Sequence, residues 1–140
     1  MFLLDTNIPS ELRRPNKADR HVLTWSQRVD EKDCYLSVAS ITEIEIGMLL
    51  IERRDPVQGN ILRHWLEYEV LLRFSDRLLP ITVSIARRMA AFQVLDKRSY
   101  HDSYIAATAL EHGFTVVTRN VRDFEPLGVR LLNPWEPQSH

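Results

Sequence analysis

Cysteine is nearly absent from this 140-residue chain: Cys34 stands alone, so no internal disulfide and no Cys-rich zinc site can form, as expected in a reducing compartment. A surplus of one charge is also missing. With 18 Lys+Arg against 19 Asp+Glu and a net charge of -1, a histone-like polycation is excluded, so any nucleic-acid contact needs a local basic patch. Long apolar runs are lacking as well. Met1-Phe2-Leu3-Leu4 stops at Asp5, too soon for a signal-peptide core, and the run from Ile46 to Ile51 is far below the roughly 20 residues of a membrane span. The expectation is a cytoplasmic protein with no membrane partner. Repeats and low-complexity tracts are absent, and the five histidines offer no pair at a usual zinc-ligand spacing. What is present is 44% hydrophobic and 26% charged residues over the length of one ordinary domain.

The apolar pattern alternates short continuous runs with helical stripes. Phe2-Leu3-Leu4 reads as a buried strand delivering Asp5-Thr6-Asn7 at its carboxyl end, and Pro9 suits the first turn of a helix. A second helix is expected through Val22, Leu23, Trp25 and Val29, and a second strand at Tyr35-Leu36-Ser37-Val38. Ser40-Ile41-Thr42-Glu43 has the form of a capping box opening a helix that Asp55-Pro56 ends. Further helices are expected from about Asn60 to Phe74, from Val83 to Leu95 and from about Asp102 to His112, the last stopped by Gly113. Leu78-Leu79-Pro80-Ile81 suggests an edge strand, Phe114 to Thr118 is the clearest strand, and Val129 to Leu132 the final one. Strands separated by helices predict a single α/β domain over residues 1–134, with a mainly parallel central sheet flanked by helices and a tail at 135–140.

Sites in such sheets collect beyond the carboxyl ends of the strands. Asp5, Glu43, Asp102 and Asp123 lie at such positions, from four remote segments. Clustered carboxylates repel one another and resist dehydration unless a cation joins them. Hard oxygen donors suit Mg²⁺ or Mn²⁺, which keep some waters and leave room for a phosphate oxygen. The chemistry this points to is metal-assisted phosphodiester hydrolysis, the cation orienting and acidifying a water.

Four blocks carry a specific resemblance: Leu3-Leu4-Asp5-Thr6-Asn7; Ser37 to Glu43 with Gly47; Asp102-Ser103-Tyr104-Ile105-Ala106-Ala107-Thr108-Ala109; and Thr118-Arg119-Asn120-Val121-Arg122-Asp123-Phe124. In order and spacing they resemble PIN-domain nucleases of the VapC toxin type. The ending Gly128-Val129-Arg130-Leu131-Leu132-Asn133-Pro134-Trp135 is similar to the FitB-like branch. The resemblance implies a PIN-like fold and a toxin that is a Mg²⁺-dependent ribonuclease, with Mn²⁺ as a substitute, cutting structured RNA such as tRNA to leave a 5′-phosphate and a 3′-hydroxyl. It implies Asp5, Glu43, Asp102 and Asp123 as catalytic metal-holding acids, with Asn7, Thr118 and Asn120 in support. It further implies a VapB-type antitoxin, a homodimer, and DNA contact only through the antitoxin.

Each residue also has an ordinary structural role. Asp5 can cap a turn, Glu43 can close the Ser40 capping box, Asp102 can favour the positive end of its helix, and Asp123 can make an Asx turn. His101 stands beside Asp102 where a proton carrier could act, but without a partner in sequence it is expected as a surface side chain, and Trp25 and Trp65 are expected in the core or an interface. Among the basic groups, Arg119 and Arg122 lie nearest the acidic motif. The competing functions are an acidic-pocket phosphatase with Asp5 as nucleophile, a phospho-acceptor signalling domain, and a catalytically silent protein-binding module.

Overall fold

The apolar run at the amino terminus forms β1 (Phe2–Leu4), followed by α1 (Asn7–Leu12) and α2 (Arg20–Arg28), in a computed structural model that describes residues 1–95 and 97–138. Then come β2 (Cys34–Ser37), α3 (Val38–Arg54), α4 (Pro56–His64), β3 (Leu78–Leu79), α5 (Val83–Leu95), α6 (Tyr100–His112), β4 (Thr115–Val117), α7 (Val121–Phe124) and β5 (Leu131–Leu132). The strands form one sheet in the order β3-β2-β1-β4-β5, and every pairing is parallel. Pro80 follows edge strand β3, where a missing N–H costs no ladder bond.

Alternation along the strands builds the two layers. Leu4 and Val117 face one apolar cluster with Ile8, Trp25, Leu36 and Met48, whereas Leu3 and Val116 face the other with Ile105, Ala106 and Phe124. Both faces are therefore covered, which explains why the strands read as continuous apolar runs. Trp25 and Trp65 both pack in the first cluster, as does Trp135, just past the expected domain boundary.

Two local expectations are corrected. The capping box at Ser40 does not form: α3 starts at Val38, and Ser37 Oγ accepts from the Ala39 N–H at 3.0 Å, leaving Ser40 buried inside the first turns. Ser37 ends β2 with extended backbone angles, so it, not Ser40, has the geometry of an N-cap. The helix expected from Asn60 starts at Pro56, whose absent N–H suits the first turn, with Asp55 Oδ1 accepting from the Gln58 N–H. It then widens into a π-helical stretch over Trp65–Leu71 that buries Leu66 and Val70.

The topology sets the site. β1 is flanked by β2 on one side and β4 on the other, so the chain order reverses at β1 and opens a crevice beyond the strand ends. Asp5 and Thr118 are the first residues past the two central strands.

Candidate active site

Asp5 is held by its own backbone before its side chain does anything. Its N–H donates to the Val117 carbonyl at 2.9 Å, tying the exit of β1 to the end of β4. Asp5 is only 4% exposed, and donors surround its carboxylate. Oδ1 accepts from the Thr6 N–H at 2.8 Å, and Oδ2 accepts from the Thr118 hydroxyl at 2.8 Å. Asn7 Nδ2 approaches both Oδ2 and Thr118 Oγ1 at 3.5 Å, and Thr118 Oγ1 in turn accepts from the Asn120 N–H at 3.0 Å. Asn7 and Thr118 thus orient this carboxylate through their side chains, while Asn120 contributes through its backbone.

Asp102 lies in the first turn of α6, with its N–H donating to the Ser99 cap hydroxyl at 3.0 Å. The small Ala106 and Ala109 let that helix sit close against the sheet beneath it. Burial and the charge of Asp5 raise the Asp102 pKa above the ordinary aspartate value, with Asp123 adding to the rise; Ser99 and His101 offset only part of it. Mutual repulsion of this kind places Asp102 within the electrostatic reach of both Asp5 and Asp123. Asp123 itself is exposed on α7, and its backbone carbonyl accepts from Arg98 Nη1 at 2.8 Å. Arg119, expected near the motif, lies over the Trp135 ring at 5.3 Å.

Glu43 joins this rim through His101, contrary to the surface position expected for the histidine. Its side chain is 18% exposed, with Nε2 3.0 Å from Asp5 Oδ1 and Nδ1 3.4 Å from Glu43 Oε2. Burial pushes the imidazole pKa down, but the Asp5 hydrogen bond and the charges of Glu43, Asp5 and Asp102 prevail and hold it above the ordinary histidine value. The sequence signal for this role was its place beside Asp102 at the opening of a helix that meets the crevice.

Among the described residues, no three acidic or imidazole side chains form a ready-made chelate. His101 stands between Asp5 and Glu43 instead. The donor chemistry still fits a hard, well-hydrated cation. Such an ion takes one or two carboxylates directly and keeps water on its other positions, so a ring of acids looser than a chelate suits it. Asn7 Oδ1, beside Asp5, is a buried oxygen without a protein partner, a further acceptor for that hydration shell.

The sequence pattern described as "PIN domain" matches residues 2–128. The chain belongs to the PIN domain family. This PIN domain is 37% identical over 142 residues to the VapC ribonuclease Y4jK of Sinorhizobium fredii, covering 98% of the chain and 99% of that protein. It is 35% identical over 140 residues to toxin FitB of Neisseria gonorrhoeae, covering 96% of the chain and 99% of FitB. The crystal structure of FitAcB from Neisseria gonorrhoeae superposes with a TM-score of 0.87 at 34% identity, covering 97% of this PIN domain and 99% of that chain. The five-stranded parallel sheet and its flanking helices thus agree with the α/β architecture expected from the sequence. No described helix is long and apolar enough to cross a membrane.

Proposed function

We propose that this PIN domain is the toxin of a toxin–antitoxin pair and a ribonuclease acting in the cytoplasm on structured RNA such as tRNA, with Mg²⁺ as its ion and Mn²⁺ as a substitute. The observation that carries the reading is the buried Asp5 carboxylate at the sheet's reversal point, oriented by donors on both oxygens and met by His101 from the first turn of α6, which also carries Asp102. Asp5 and Asp102 would hold the cation directly, with Glu43 and Asp123 acting through its waters. The bound ion would lower the pKa of an attacking water and neutralise charge on the phosphate. The chain's own contribution is positional. Thr118 and Asn7 fix the Asp5 oxygens, Ser99 fixes the helix that presents Asp102, and Asn120 braces Thr118 through its backbone. Cleavage would leave a 5′-phosphate and a 3′-hydroxyl.

The phosphatase alternative fares worse on the sequence. A nucleophilic aspartate there needs a second acid close by in the chain as proton donor, and Thr6-Asn7 after Asp5 supplies none.

A VapB-type antitoxin would be the protein partner. An open cavity of about 520 Å³, walled by Ile8, Leu12, Leu23, Val29, Trp65 and Phe74, contains none of the four acids and suits an apolar antitoxin helix. DNA would be reached only through that partner. A second copy of the chain would complete a homodimer. The test is cleavage of total tRNA and rRNA by antitoxin-free protein, with Mg²⁺ and with EDTA. Cutting that disappears in EDTA and in folded Asp5→Asn and Asp102→Asn variants is expected; RNA left intact by the native chain would refute the activity.

A further inference from the structure

Beside the acids lies a second, smaller pocket of about 300 Å³. Its walls are apolar and aromatic: Ile46 on α3, Ile81 before α5, and Tyr100 and Tyr104 on α6. Glu43 and His101 line it as well, and His101 reaches from Glu43 to Asp5, so pocket and acidic rim are continuous. The two tyrosine rings are 6.5 Å apart at an interplanar angle of 87°, one edge toward the other's face, and Tyr100 is 64% exposed.

We infer that this pocket holds one unpaired RNA base, that of the nucleoside next to the cleaved phosphate, packed against Tyr100 between Ile46 and Tyr104. The inference rests on the ribonuclease reading and deepens it. Its lining includes no lysine or arginine, so the pocket is not built for a phosphate. The volume, at the low end of the ~300–1,000 Å³ of small-molecule sites, suits one base and not a protein helix. Unpaired bases stack on aromatic side chains because every base offers a π face, and bases splayed from loops are the ones proteins read in this way. The position is the decisive point: a phosphate at the acids leaves its neighbouring base within reach of a pocket that shares Glu43 and His101 with them.

Binding can be tested without catalysis. Adenosine and uridine are titrated into the metal-free full chain by NMR, with ribose as the baseless control. Base-dependent shifts at Tyr100 and Ile46 are expected, with affinity falling about 5- to 100-fold in Tyr100→Ala, as loss of one stacked base predicts, and retained in Tyr100→Phe. Ile46→Trp, which fills the pocket from an exposed position, should block binding while Tyr100 stays intact. Ribose shifting the same signals as the nucleosides, or Tyr100→Ala binding as the native chain does, would overturn the assignment. So would absent nucleoside binding together with an Ile46→Trp change in oligomeric state, which would give the pocket to a second copy. Native RNA cleavage without nucleoside binding removes the pocket and leaves the ribonuclease reading; binding without cleavage does the reverse.

Discussion

Thr118→Val isolates the hydroxyl that orients Asp5. The side chain is completely buried, and valine nearly preserves its shape, so the perturbation is the loss of the bonds to Asp5 and Asn120, with the long 3.5 Å contact from Asn7, and little packing. The bond to Asp5 Oδ2 at 2.8 Å involves an ionised acceptor, worth about 1.5–3 kcal/mol, and the Asn120 N–H at 3.0 Å loses an acceptor worth about 0.5–1.5 kcal/mol. The expected destabilisation is therefore about 2–4 kcal/mol, or a fall in Tm of roughly 6–12 °C for a chain of this length. Thr118→Ser keeps both bonds and removes one methyl, so it should lose only about 1 kcal/mol. Calorimetry and urea unfolding read the stability. In cleavage assays the valine variant should lose activity by about 10–100-fold, as expected when a group that orients a metal-holding carboxylate is removed. A valine variant within about 0.5 kcal/mol of the native chain and equally active would refute the claim that Thr118 holds Asp5 in place.

Two further outcomes follow from packing and charge. In metal-free protein the raised His101 pKa contributes stability that is fully present below the unfolded value of about 6.5 and is lost as pH rises through the folded value. The melting temperature should therefore fall on the alkaline side of that window, and His101→Gln should flatten the fall; an unchanged profile in the variant would assign the titration elsewhere. At the contact between α3 and α4, a Cβ on Gly59 would come within 2.5 Å of the Glu52 Cα, backbone that cannot swing aside. Gly59→Ala should lose about 1–3 kcal/mol in denaturant unfolding, and an unaltered midpoint would show that the helices separate freely.

The strands were legible because both faces of the sheet are covered, which forces Phe2–Leu4 and Thr115–Val117 into apolar runs. The position of Asp5 was legible for a related reason: a polar residue directly after such a run lands at the carboxyl end of the strand. The start of α3 was not, because Ser37 and Ser40 carry the same capping chemistry and only the extended backbone at Ser37 selects between them. His101 was placed on the surface because its partners, Asp5 and Glu43, are distant in the chain; its seat beside Asp102 pointed to the crevice, but not to a contact with a residue 96 positions away. The tyrosine pocket was hidden similarly, since Ile46 and Tyr100 meet only when α3 and α6 pack. The π-helical widening at Trp65–Leu71 leaves the apolar stripe intact, so periodicity alone reads it as ordinary helix.

Asp5, Glu43, Asp102 and Asp123 are proposed to serve a single cation. Mn²⁺ titration followed by water-proton relaxation, on the native chain and on Asp5→Asn, Glu43→Gln, Asp102→Asn and Asp123→Asn, tests it most directly. One site that every substitution weakens, Asp5→Asn and Asp102→Asn most, is expected. Native-like Mn²⁺ affinity in folded Asp5→Asn and Asp102→Asn variants would contradict it.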